Sequence, residues 1–179
     1  MATDCVPTAS SIILVEGVSD RVALETIARR RGRRLEAAGV AVVAIGGAQA
    51  VGRCLARFGP AGLGIRLTGL CDAGEERSFR RALDRAGVPG DRVQVCVADL
   101  EDELVRAVGP LRVEELLEEQ GELRSFRTFQ KQEAHREAPR QEQLHRFMHN
   151  RKIRYAGLLA DRVDLDIVPR PLDAVLAGL

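Results

Sequence analysis

The carboxylates follow a pattern. Glu16 closes the apolar run SIILVEG just before a glycine, and Asp20 follows it in EGVSD. Asp72 closes a second apolar run, in GLCDAGEE, and Asp99, Glu101 and Asp102 follow a third, in ADLEDEL. Carboxylates gathered in one place repel unless a cation neutralises them, and oxygen donors with no Cys or His at ligand spacing favour a hard divalent ion, Mg²⁺ or Mn²⁺. Acids in the first turn of a helix also serve as caps and complement its dipole, a reading that stays open for Asp20, Glu75, Glu76 and Asp102. Glu16 has no such role available at the end of a strand.

The elements that must position these acids are legible as alternation. Four β-branched runs, at 11–17, 40–47, 65–72 and 92–99, are each followed by helical spacing, at 19–31, 48–58, 75–87 and 99–108. Strand–helix alternation predicts an α/β fold, a parallel sheet of about four strands flanked by helices. In such a sheet every strand's C-terminal end opens on one edge, so the acids are expected to converge on one rim. After Pro110 the pattern becomes helical: an acidic helix in VEELLEEQGEL, a polar and basic stretch with 131–141 as its most flexible part, a long helix over 141–163, and a terminal helix in PLDAVLAGL. The expected organisation is a tail at 1–10, an α/β core at 11–108 and a helical C-terminal extension at 109–179.

The formal net charge of +1 is unevenly placed: residues 124–154 hold nine Lys and Arg against three Glu, a local excess of +6, and the remainder is −5. A basic arm beside an acidic body suits an anionic partner, and Arg124, Arg127, Lys131, Arg151, Lys152 and Arg154 are the candidate contacts to nucleic-acid phosphates. The Arg29–Arg34 cluster reads as a solvated helix C-terminus. His135, His145 and His149 read as surface residues, with no acid at ligand spacing beside them. Gly46-Gly47 suits either a phosphate-cradling turn or a tight strand–helix turn. Cys5, Cys54, Cys71 and Cys96 include no C-x-x-C pair and read as small core residues of a reducing compartment. With no Trp and Tyr155 the only Tyr, stacking on bases is an unlikely main binding mode. No apolar stretch is long enough for a membrane span and no leader pattern is present, so a soluble cytoplasmic protein with no membrane partner is expected.

ILVEGVSD and GLCDAGEE, separated by one strand–helix unit, resemble the Toprim domain of topoisomerases, primases and nucleases. The E-G-x-S-D opening, ADLEDEL and RKIRYAGLLA are most similar to the branch found in overcoming-lysogenization-defect (OLD) nucleases. The resemblance implies a Toprim-like, Rossmann-like core over 11–108 that hydrolyses phosphodiesters of DNA or RNA with Mg²⁺ or Mn²⁺. It implies Glu16, Asp20 and Asp72 as metal ligands, Glu101 as a further ligand or a group that supports the ligands from behind, and Glu16 with Lys152 as catalytic residues. The second aspartate of the family's D-x-D pair falls on Gly74; Glu75 or Glu76 is then a candidate to reach the ion, outside what the motif itself gives. That departure keeps a non-catalytic module, binding nucleic acid or a partner ATPase, as the alternative; nucleotidyl transfer is a third. No G-x-x-x-x-G-K-[ST] occurs, so any ATP dependence is expected to come from a partner ATPase. A homo-oligomer is left open.

Overall fold

The computed structural model describes residues 9–47 and 50–179. The tail expected at 1–10 lies mostly outside the described residues, as do Cys5 and the start of the helix expected at 48–58. Four strands, β1 (Ser11–Val15), β2 (Val40–Ala44), β3 (Arg66–Cys71) and β4 (Val93–Val95), form one sheet in the order β2-β1-β3-β4. Every pairing is parallel, with Ile13 opposite Val42 and Thr68 across the two central ladders. The expected α/β sheet of four strands flanked by helices is the observed one.

β1 is central and all five of its residues are buried, which is why it reads as an unbroken apolar run rather than an alternation. Its side chains still alternate between faces. Ile12 and Leu14 join Val51, Leu55 and Phe58 of α2 (Val51–Phe58) and Phe79 and Leu83 of α3 (Glu76–Arg85). Ile13 and Val15 join the opposite core, with Ala23, Leu24 and Ile27 of α1 (Val18–Arg30) and Leu100 and Leu104 of α4 (Leu100–Val108). The chain beyond Gly109 completes that second core through α5 (Pro110–Glu119), α6 (Leu123–Gln130), α7 (Arg140–Met148), α8 (Lys152–Arg162) and α9 (Arg170–Ala177). The helix expected over 141–163 is thus two helices joined by a short 3₁₀ turn at His149–Arg151.

The packing of α8 on α1 matters most for the site. Gly157 sits at the contact, where a β-carbon would come within 3.1 Å of Val22 Cγ1. At the C-terminal ends, Arg30 donates to the carbonyls of Ala160 and Val163 at 2.8 and 2.6 Å, and Arg29 pairs with Asp161. Arg31 reaches Asp173 at 2.7 Å and Arg33 the Leu176 carbonyl at 2.7 Å. The arginine cluster expected to be solvated is therefore mostly a clamp: it satisfies the unpaired carbonyls that end α8 and α9, where a cation also complements the helix dipoles. With C-terminal ends matched, α1 and α8 run parallel, and Lys152 at the start of α8 stands by the start of α1.

Candidate active site

The sheet order places a switch point between β1 and β3. The chain leaves β1 through α1 on one face to reach β2, then returns through α2 on the other face to reach β3. Crevices at such points, outside the carboxyl ends of the strands, are where open α/β sheets bind ligands. Glu16 and Asp72 are the residues there. Glu16 Oε1 accepts the backbone N–H of Asp72 at 2.8 Å, so one carboxylate ties the ends of the two strands together. Asp20 Oδ2 accepts the N–H of Gly17 at 2.8 Å, the capping contact foreseen for it, yet the side chain is buried rather than solvated.

Electrostatics show how closely the acids converge. Burial raises the Glu16 carboxyl above its ordinary range, opposed by the Asp72 N–H and by the Lys152 charge, and reinforced by Glu75 and Asp99. Asp20 is pushed up to about 6, first by burial and then by Glu101 and Glu16. Asp72 is pushed up to about 7, by burial and by the charges of Glu16, Asp20, Asp99 and Glu101. Glu75 occupies the N-cap position of α3, half-buried. Glu101, in the first turn of α4, is only 7% exposed, and its Oε1 has no hydrogen-bond partner. A buried carboxylate oxygen without a donor is costly, and a cation would satisfy it. The oxygen-only donor set fits a hard divalent ion on both counts. Among the described residues no three Asp, Glu, His or Cys side chains are arranged to hold a metal ion as they stand; Glu16 and Asp20 each hold a backbone N–H instead.

Lys152 is exposed at the first position of α8, and its charge draws down Glu16, Asp20 and Asp99. No carboxylate of the described residues lies within 4.0 Å of it, so it faces the rim without being locked to one acid. Gly74 is exposed, and a side chain added there meets open space.

The other candidate phosphate contacts divide. Arg127 is held by Glu114 at 2.5 Å, together with Arg140 on the same carboxylate. Arg151 and Arg154 both pair with Glu122, which also accepts the hydroxyl of buried Tyr155 at 2.6 Å. Arg151 in addition lies 5.0 Å from the Phe147 ring centre. Arg124 and Lys131 are exposed and have no acid within 4.0 Å among the described residues.

Sequence reasoning missed His145. It is half-buried, and its Nε2 lies 2.7 and 3.0 Å from the two carboxylate oxygens of Asp99. Burial acts to raise Asp99, but His145 and the N–H of Asp102 outweigh it and hold the carboxyl below its usual range; the same contact raises His145. The pair ties α7 to the N-terminal turn of α4, which carries Glu101. Asp99 and His145 are far apart in the chain, so no local spacing signals the contact. His135 is likewise not a free surface residue: it stacks on Phe129 with ring centres 3.8 Å apart. His149 is exposed, as expected.

Residues 8–73 match the family described as "Overcoming lysogenization defect protein-like, TOPRIM domain". That span includes Glu16, Gly17, Asp20 and Asp72 and ends before Glu75, Glu101 and Lys152. No curated protein matches the chain. Among solved structures, the C-terminal region of the Burkholderia pseudomallei OLD protein superposes with a TM-score of 0.72 at 20% identity, covering 94% of this chain and 96% of that one. The C-terminal region of the Xanthomonas campestris pv. campestris OLD protein, phased with platinum, gives 0.73 at 22% identity, covering 94% and 91%. The resemblance carried by ILVEGVSD and GLCDAGEE is borne out: residues 8–73 carry the OLD-like TOPRIM signature, and the chain has the fold of the C-terminal region of OLD proteins.

Proposed function

We propose that the protein is a divalent-metal-dependent nuclease that hydrolyses phosphodiesters of nucleic acid at the rim where β1 and β3 end. The observation that carries this reading is the bond from the Asp72 backbone to Glu16, with Asp20, Asp72 and the unpartnered oxygen of Glu101 gathered around it. Glu16, Asp20, Asp72 and Glu101 would hold Mg²⁺ or Mn²⁺, with Glu75 at the margin. A bound ion supplies a Lewis acid for a phosphoryl oxygen and lowers the pKa of its water.

The chain's own groups do the rest. Glu16 is pre-oriented by its backbone bond, which engages one oxygen and leaves the other for a ligand. Lys152 supplies a positive charge to the scissile phosphate as negative charge builds there, and it can do so because no acid of the described residues locks it. Asp99 is held ionised by His145 and keeps α4, and with it Glu101, at the rim. Nucleic acid is the proposed partner; no helix of the described residues is long and apolar enough to cross a membrane.

Gly74 supports a second reading, a module that binds nucleic acid or an ATPase without cutting, since it stands where the family's pair has an aspartate. Open space at this position allows Gly74→Asp without a clash. Supercoiled DNA, single-stranded DNA and structured RNA, each incubated with EDTA, Mg²⁺ or Mn²⁺, should be cut only with metal, faster by Gly74→Asp and not by Glu16→Gln. If wild type and Gly74→Asp both bind nucleic acid but leave it uncut in Mn²⁺, the module reading replaces the nuclease.

A further inference from the structure

The groove along α3 is a second feature of the rim. It has a volume of about 570 Å³ and begins at Ala73 and Gly74, the residues that follow Asp72. Arg77, Arg80 and Arg81 line it, with Ser78, Glu76 and Asp84. Phe79 and Leu83 turn the opposite side of α3 into the core. Arg77, Arg81 and Arg85 therefore fall four residues apart on the outward side, and all three are exposed.

Their charge has no internal use. Arg80 alone is engaged, by Glu76 at 2.7 Å and by the Gly90 carbonyl at 2.9 Å. Arg77, Arg81 and Arg85 have no carboxylate within 4.0 Å among the described residues. Like charges spaced four apart on a helix repel each other, so the stripe carries a cost that an external anion would relieve. α2 packs beside α3 and presents exposed Arg53 and Arg57 at the same spacing. The remaining acid of the groove is Asp84.

The dimensions select the anion. From Arg77 to Arg85 the helix advances roughly 12 Å, about three or four phosphates at the rise of one nucleic-acid strand. We infer that the α3 groove is a track for the phosphodiester backbone of the substrate, entering or leaving the carboxylate rim past Gly74, with Arg77, Arg81 and Arg85 neutralising successive phosphates. This rests on the nuclease reading of the rim and assigns the grip to a face of the sheet opposite the C-terminal helices.

The test is fluorescence anisotropy with labelled duplex DNA, single-stranded DNA and structured RNA in EDTA, over a series of salt concentrations. Replacing Arg77, Arg81 and Arg85 together by alanine should weaken binding at least about tenfold at moderate salt and reduce the slope of log K against log salt by roughly 2 to 3. The triple lysine variant should keep the slope. An unchanged slope in the alanine triple overturns the assignment. If that happens while wild type still cuts in Mn²⁺, the nuclease reading survives and the groove falls. If the slope drops but neither protein cuts, the groove stands and the nuclease falls. A wild type that binds none of the three polymers sinks both.

Discussion

Two arginine-bearing stretches of this molecule, residues 124–154 and α3, use their charge in opposite ways. In residues 124–154, Arg127 and Arg140 converge on Glu114, and Arg151 and Arg154 on Glu122, acids supplied from outside the segment. On α3, Arg77, Arg81 and Arg85 meet no acid among the described residues. The first stretch is the more basic in sequence, yet its guanidiniums mostly staple helices together. The second is modest in composition and leaves its charge facing outward. Local excess charge is a poor guide to binding when the neutralising residues come from elsewhere in the chain. Inside the first stretch Lys152 is the exception: like Arg124 and Lys131 it has no acid within 4.0 Å among the described residues, and its charge acts on the acids of the rim.

The largest expected effect isolates that exception. Lys152→Ala should lower the cleavage rate by about 10²-fold, the scale of losing one preorganised electrostatic contact to the developing charge. Calorimetric titration should show metal affinity little changed. A Lys152→Ala enzyme that cuts at the wild-type rate would place Lys152 with the structural bases after all.

Glu114→Gln comes next. It leaves two guanidiniums facing a neutral amide at a position only 8% exposed, and should destabilise the fold by about 2–3 kcal/mol in urea unfolding. If stability is unchanged, the stapling role is mistaken and those arginines are available to ligands.

The acidic rim gives a pH signature of similar or smaller size. Asp72 titrates near 7 in the folded chain against 3.8 ordinarily, so the unfolded state holds its proton less well than the folded state does. Without metal, the folded protein should therefore lose stability as pH rises from about 4 through 7. Asp72→Asn removes the Asp72 share of this loss, and at pH above 7 should make the metal-free protein more stable, on the order of 2 kcal/mol, with the advantage vanishing below the ordinary carboxylate range. Thermal melts across pH in EDTA decide it, and equal pH profiles would mean that the rim acids are not coupled.

The smallest effect sharpens the contrast between the two arginine sets. Alanine at Arg77, Arg81 and Arg85 should leave stability unchanged or raise it by a few tenths of a kcal/mol, because alanine favours the helix and the like-charge pairs are relieved. Destabilisation beyond about 1 kcal/mol would show that these arginines also have an internal structural role.

Most of the scaffold was legible because its signals are local. Apolar runs bounded by glycines located the four strands, and the acids closing the first and third, Glu16 and Asp72, were foreseen on one rim from parallel topology alone. The observed strands end up to four residues earlier than the apolar runs, as in β4, where the run continues past the last paired residue Val95 although Val97 is exposed. A break in the helix at His149–Arg151 carried no proline or glycine to announce it.

What the chain's order of residues determined by itself was the α/β alternation, the strand-end acids and the Gly74 departure, since each depends on spacing within a few turns or one strand. Only the tertiary structure decided which charges are free. Asp99 meets His145, Glu122 meets Arg151 and Arg154, and Arg30 meets the end of α8 across long stretches of chain, contacts created by the packing of the C-terminal helices on α1 and α4. An ion pair forms within a few ångströms regardless of sequence separation, so which cations remain for a ligand is settled by the packing of the whole core.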